Sequence, residues 1–222
     1  MKMSFETGSI DLKPTKIIAV ARNYLAHAAE MKANVPKEPK FFLKPPSSLL
    51  AHGGTVLLPG VSHRVDHEVE LAIVIGRQCK NLIEADVESS ILGYTVIVDV
   101  TARDLQQEAK SAGMPWAVSK GFDTFAPIGP QIVPGSDFNS ADAEIWLTVN
   151  GEYRQKSSTQ HMIFSMNQLV VAVSRVMTLE PHDIIATGTP EGVGPLSAGD
   201  EVVAGVTGIA PLSFSVEEAA TP

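Results

Sequence analysis

Two short apolar runs carry acids that an apolar run cannot hold without a partner. Residues 68–75 read EVELAIVI and residues 94–100 read YTVIVDV. Both are rich in β-branched residues and short enough for buried strands. Alternate side chains of a strand share a face, so Glu68 and Glu70 project together from a segment otherwise suited to a core. Neighbouring carboxylates repel and burial opposes their ionisation, so the fold must supply a cation or hold a protonated acid. Asp99 repeats the anomaly among Val96, Ile97, Val98 and Val100, completing an all-oxygen donor set suited to Mg²⁺, Mn²⁺ or Ca²⁺. The opposing reading places each acid at a strand end beside a surface lysine or arginine. Three acids interrupting two apolar strands favour the metal. Zinc is the rival ion, because residues 63–67, HRVDH, resemble an inverted zinc-peptidase motif with Asp in place of Glu. That motif needs a helix, and the β-rich run that follows argues against one.

The chain of 222 residues shows no composition shift or low-complexity linker, so one domain over 1–222 is expected. Hydrophobic residues make up 44% and charged residues 19%, the balance of a folded chain. A net charge of -8 and a pI near 5.2 deny it the positive field that nucleic acid or an anionic membrane requires. A small anionic substrate therefore needs a local basic pocket. The longest apolar runs, Leu71 to Ile75 and Leu169 to Val173, fall far short of the ~20 residues of a membrane helix. Glu6 and Asp11 near the start, with no apolar signal core, argue against secretion or an organelle transit peptide. Cys79 is the single cysteine, so no intrachain disulfide is possible and the cytoplasm is the expected compartment.

Lys16 to Val20 predicts a strand and Arg22 to Met31 a short helix. Pro36, Pro39, Pro45 and Pro46 predict a loop over Val35 to Ser48 around a short extended stretch at Phe41 to Leu43. Thr101 followed by Asp104 reads as a capping box opening a helix through Ala112, with Gly113 just past its end. Met162 to Met177 has a helical apolar period whose methionines read as packing. Glu144 to Val149, Ile184 to Ala186 and Glu201 to Val206 read as further strands.

His27 and Glu30 stand three apart on the first predicted helix, where the carboxylate can orient the imidazole as a general base. Such pairs also occur on solvated helices. Arg103 and Lys120 offer positive charge for an anionic substrate, although most such residues are surface groups. The turn TGTPEGVGP, Thr187 to Pro195, offers backbone donors for an anion but lacks the Lys and Ser/Thr ending of a nucleotide loop.

Together RNYLAHAAEM, FFLKP, DHEVELAIVIG, DVTARDLQ, PWAVSKGFDTFAPIGP, VNGEYRQ and TGTPEGVGP resemble the fumarylacetoacetate hydrolase family, in its short acylpyruvase and fumarylpyruvate hydrolase branch. The resemblance covers about Lys16 to Val206. It implies an α+β fold, a mixed β-roll with peripheral helices, and a homodimer. It implies Mg²⁺ on Glu68, Glu70 and Asp99, and a water-activating dyad of His27 and Glu30 on a segment that closes over substrate. Arg103, Gln106, Lys120 and Thr189 match positions that contact a 2-oxo acid, with Lys120 also assisting catalysis. The implied reaction is hydrolysis of a carbon–carbon bond in an acylpyruvate or fumarylpyruvate; decarboxylation or tautomerisation of oxaloacetate would use the same site. A binding protein without turnover is the remaining alternative, and the His27–Glu30 pair argues against it. Ala21 stands where relatives usually have Gly before Arg-Asn-Tyr, so a locally different turn is expected there.

Overall fold

The Val69–Ile75 and Ile91–Val98 strands are antiparallel neighbours inside a ten-stranded mixed sheet in the computed structural model, which describes residues 1–31 and 34–220. From Ile91–Val98 the sheet continues through Gln131–Pro134 to the N-terminal hairpin of Lys2–Phe5 and Gly8–Asp11. On the other side it continues through Ile184–Ala186 and Ile17–Ala21 to Lys40–Lys44. The two-residue period of these strands feeds two cores. Leu71, Ile73, Ile75, Val96 and Val98 enter one apolar cluster, whereas Ala72, Val74 and Ile97 enter a second with Ile17, Ile128 and Ile184.

A five-stranded sheet packs over the first core, in the order Glu152–Ser158, Glu144–Val149, Glu201–Val206, Leu212–Glu218, Thr55–Leu58. The Met166–Val176 helix closes the same core with Leu169, Val170 and Val173. The second core lies on the opposite face of the large sheet, and its members there are 0–1% exposed from Ile17 to Ala186. This is the expected α+β β-roll with peripheral helices. Among the described residues no helix is long and apolar enough to cross a membrane.

A three-stranded ladder of Thr101–Ala102, Val65–His67 and Gly194–Pro195 positions the site. In it Asp66 stands opposite both Thr101 and Pro195, so the start of the acidic strand, the exit of its partner and the end of the TGTPEGVGP turn meet.

Several predicted boundaries move. The first helix spans Leu25–Glu30, because Arg22 takes a left-handed φ of 63° and Tyr24 is extended at the helix start. The special backbone therefore falls at Arg22, and Ala21 ends an ordinary strand. No capping box joins Thr101 to Asp104. Ala102 is the N-cap of the Arg103–Ala112 helix, and the Asp104 carboxylate instead accepts from Ser62 Oγ at 2.6 Å and the His63 amide at 2.7 Å. Gly113 does end that helix, at φ 68°. The Met162–Met177 helix is delayed to Met166 by a capping box between Ser165 and Gln168, with Met162 and Ile163 outside it. Lys40–Lys44 confirms the extended stretch expected among the prolines. The hairpin at the N-terminus and the Glu152–Ser158 and Leu212–Glu218 strands had no sequence expectation, although Leu212, Phe214 and Val216 alternate with Ser213 and Ser215 as a half-buried strand does.

Candidate metal centre and active-site cavity

Glu70 and Asp99 extend the faces of the two central strands whose other members enter the second core. Glu70 stands opposite Ile97, and the Asp99 amide donates to Glu68 O at 2.8 Å just beyond the strand pair. Asp99 follows the strand end at Val98, and Glu68 occupies the break between Val65–His67 and Val69–Ile75. The fold still brings one carboxylate oxygen of each acid within 4.8 Å of the others, and all three side chains are buried.

Cations already surround two of them. Lys120 Nζ donates to Asp99 Oδ2 at 2.5 Å, Glu68 Oε2 at 3.0 Å and Thr101 Oγ1 at 2.6 Å. Lys44 Nζ donates to Asp99 Oδ1 at 2.7 Å and to Val100 O at 3.1 Å. Arg103 pairs with Glu68 and, at 2.8 Å, with Asp66 Oδ2, and gives Gln106 Oε1 a hydrogen bond at 2.7 Å. Burial opposes ionisation of Glu68, but Lys120 and Arg103 override it and hold the carboxyl far below its usual range. Glu70 behaves oppositely. Burial, then the charges of Asp99 and Glu68, push its carboxyl well up, against the Gly188 amide and Lys120.

Among the described residues Glu70 has no ammonium or guanidinium in an ion pair. Three buried carboxylates with oxygen donors only, one lacking a side-chain cation, fit a hard divalent ion. The zinc alternative does not fit, since Val65–His67 is a strand and His67 Nδ1 lies 3.0 Å from Gln155 Oε1.

His27 borders the cavity onto which these acids open, with Glu30 paired to it. Nδ1 of His27 is 3.2 Å from Glu30 Oε2, and His27 is 6% exposed. The helix carrying them is anchored at Asn23, whose side chain donates to Thr187 O at 2.8 Å and Phe164 O at 3.1 Å and accepts the Phe164 amide at 2.8 Å.

His27, Glu68, Glu70 and Asp99 line one cavity of about 230 Å³, with Arg103, Gln106, Lys120 and Thr189 in its wall. Glu30 lies behind His27, outside that lining. Thr189 Oγ1 accepts from Gln155 Nε2 at 2.8 Å, and Gln155 Oε1 accepts the Val69 amide at 3.0 Å, so one buried glutamine ties the turn to the acidic strand. Sequence reasoning missed Lys44, Asp66 and Gln155. The signal for Lys44 was a lysine two residues after Phe42 in an apolar strand, where alternation places both on one face. For Asp66 it was a third acid beside Glu68.

A roll enclosing a buried three-carboxylate centre defines a metal-dependent enzyme, and comparison places it: residues 16–217 match the family described as Fumarylacetoacetate (FAA) hydrolase C-terminal. The chain belongs to the fumarylacetoacetate hydrolase family. It is 52% identical over 216 residues to an uncharacterized protein of Pyrococcus horikoshii, covering 97% of this chain and 94% of that one. It is 47% identical over 208 residues to "Oxaloacetate tautomerase FAHD1, mitochondrial" of Arabidopsis thaliana, covering 94% and 93%. A solved fumarylpyruvate hydrolase from Pseudomonas aeruginosa, in complex with Mn²⁺ and pyruvate, superposes with a TM-score of 0.91 at 33% identity, over 99% of this chain and 96% of that one.

Proposed function

We propose that this protein is a divalent-cation-dependent hydrolase that cleaves a carbon–carbon bond in an acylpyruvate-type 2,4-diketo acid, fumarylpyruvate included, to give pyruvate and a carboxylic acid. The carrying observation is that the Glu68, Glu70 and Asp99 cluster and His27, paired with Glu30, open onto one small cavity. Glu68, Glu70 and Asp99 are the residues that would hold the cation, with Mg²⁺ the first choice and Mn²⁺ or Ca²⁺ compatible with the same donors. Bound there, it would supply Lewis acidity toward the 2-oxo acid end of the substrate.

The side chains supply the rest. Arg103, Gln106, Lys120 and Thr189 contact the 2-oxo acid, and Lys120 stabilises negative charge that develops there. Glu30 orients His27 through Nδ1, leaving Nε2 to take a proton from water as the water oxygen attacks the distal carbonyl. The bond between that carbon and the pyruvate methylene then breaks; its electron pair stays on the methylene carbon, and the proton His27 took from water passes to that carbon to complete pyruvate.

A second reading is oxaloacetate tautomerisation or decarboxylation on the same residues, and the relative named oxaloacetate tautomerase supports it as strongly as the solved fumarylpyruvate hydrolase supports the first. In tautomerisation His27 would move a substrate proton instead of activating water. The test incubates purified protein and Mg²⁺ with acylpyruvates, fumarylpyruvate and oxaloacetate, following pyruvate, CO₂ and keto–enol exchange separately. Pyruvate and carboxylic acid in equal amounts from a diketo acid support hydrolysis; exchange of oxaloacetate alone overturns it in favour of the second reading. On the same reading the chain works as one catalytic unit over 1–222, as a homodimer and in the cytoplasm, consistent with its lone cysteine Cys79.

A further inference from the structure

A single buried amide stands behind one wall of the cavity. Gln155 is 1% exposed and is the one buried residue of the Glu152–Ser158 strand, at the edge of the five-stranded sheet. That strand pairs Gln155 with Leu147 and Tyr153 with Thr148, so Arg154 is left over as a bulge. A bulge at a sheet edge re-aims the side chains beside it. The turn from Thr187 to Pro195 packs directly on this one, since a Cβ at Gly192 would lie 2.1 Å from Arg154 O and 3.3 Å from Gln155 Cα. An inward amide therefore meets Thr189, the residue of that turn that lines the cavity.

The two ends of an amide match in shape and differ in chemistry, so what Gln155 does depends on which way round it sits. Two backbone groups decide this. The Val69 amide can only donate, and it lies 3.0 Å from Gln155 Oε1; the Pro190 carbonyl can only accept, and it lies 3.0 Å from Nε2. The reverse orientation would set donor against donor and acceptor against acceptor, which burial makes costly.

The other two bonds of the amide follow. Oε1 accepts from His67 at 3.0 Å, which places the His67 proton on Nδ1. The second Nε2 hydrogen goes to Thr189 Oγ1 at 2.8 Å, so Thr189 is the acceptor in that bond. A hydroxyl has one hydrogen to give and two lone pairs. With Gln155 bound at a lone pair, the hydrogen is left for another partner, and Thr189, 3% exposed, is open only toward the cavity.

We propose that Gln155 is a positioning residue: its fixed amide makes Thr189 a hydrogen-bond donor to the ligand, so that this part of the wall selects an oxygen acceptor, a carboxylate or a carbonyl. This rests on the 2-oxo acid reading above and adds to it a residue that stands outside the cavity lining.

Oxalate, whose polar atoms are all oxygen acceptors, is the probe, titrated by calorimetry into the Mg²⁺-loaded protein. Thr189→Val keeps the shape and removes the hydroxyl; it should weaken oxalate about tenfold or more, and Thr189→Ser should recover most of that loss. Gln155→Met should weaken oxalate about threefold or more by itself, yet less than about twofold in the Thr189→Val background, because it acts through that hydroxyl. Losses that add in the double variant overturn the proposal, as does oxalate affinity unchanged in Thr189→Val. One readout needs no variant to fold. The ¹⁵N spectrum of the unmodified protein at neutral pH should show His67 protonated at Nδ1 and bare at Nε2; the opposite tautomer reverses the Gln155 amide and overturns the proposal. Failure of oxalate to bind the unmodified, Mg²⁺-loaded protein overturns the 2-oxo acid reading and the Thr189 contact with it, whereas the His67 tautomer reports on Gln155 alone.

Discussion

Glu30 accepts the backbone amide of Gly192 on Oε1 at 3.1 Å while its Oε2 lies 3.2 Å from His27 Nδ1. The same turn gives the Gly188 amide to Glu70 Oε2 at 2.6 Å. One loop therefore touches both the dyad acid and the carboxylate cluster. The Leu25–Glu30 helix has only six residues, too few to hold a fixed geometry by its own hydrogen bonds, so these contacts with the loop and those of Asn23 set where His27 stands.

Gly192→Ala should loosen that arrangement. Gly192 has φ +90°, and a Cβ there would lie 2.1 Å from Arg154 O, so the backbone must shift. The expected cost is about 1–3 kcal/mol of stability with a larger loss of turnover than of Mg²⁺ affinity. Thermal unfolding, kcat and metal titration on one preparation check it; an unchanged kcat would show that the loop does not position the dyad.

His27→Gln keeps a polar side chain and removes the group that accepts a proton. Loss of a general base costs about 10² to 10⁴ in rate, and Mg²⁺ and oxalate binding should persist because the cluster is separate. Equal losses in oxalate affinity and in hydrolysis would mean that His27 chiefly shapes the cavity.

Glu70→Gln separates metal binding from stability. Mg²⁺ affinity and turnover should fall together by about tenfold or more, since a charged ligand is lost. The metal-free protein should be no less stable at neutral pH, because burial and its acidic neighbours raise the Glu70 carboxyl and its ionisation costs stability. A raised folded value means that the folded state binds more protons, so this cost is absent below the ordinary carboxyl range near about 4.3 and grows as pH rises. Unfolding of both metal-free proteins across that range should show a pH-dependent difference; unchanged Mg²⁺ binding by calorimetry would remove Glu70 from the ligand set.

Lys120→Met should act on two readouts. Oxalate affinity should fall about tenfold to a hundredfold through loss of a charge-assisted hydrogen bond. The metal-free protein should also lose about 3–5 kcal/mol, because Lys120 is 1% exposed and its removal leaves Glu68 and Asp99 short of a partner. Unaltered oxalate affinity would confine Lys120 to a structural role.

Local chemistry made much of the molecule legible in the sequence. A carboxylate in a β-branched run is costly wherever the chain goes, so Glu68, Glu70 and Asp99 stood out before any partner was known. The strands Glu144–Val149, Ile184–Ala186 and Glu201–Val206 were equally readable, because alternation and turn residues are properties of adjacent positions. The apparent capping box at Thr101 and Asp104 misled because Thr101 was already claimed by the ladder with Asp66 and by Asp99 O. Arg22 misled because its left-handed backbone is imposed by residues 141 and 164 positions away from its neighbour Asn23.

The sequence by itself marked Glu68, Glu70 and Asp99 as acids out of place in apolar strands, favouring a shared cation, and set His27 and Glu30 three apart on one predicted helix. Only the tertiary structure decided which cations flank those acids. Lys44 reaches Asp99 across 55 positions, Gln155 joins His67 across 88 and Gly192 reaches Glu30 across 162. A charge or amide chooses its partner by distance in space, and that distance is set when the sheet curls, which no local run of residues encodes.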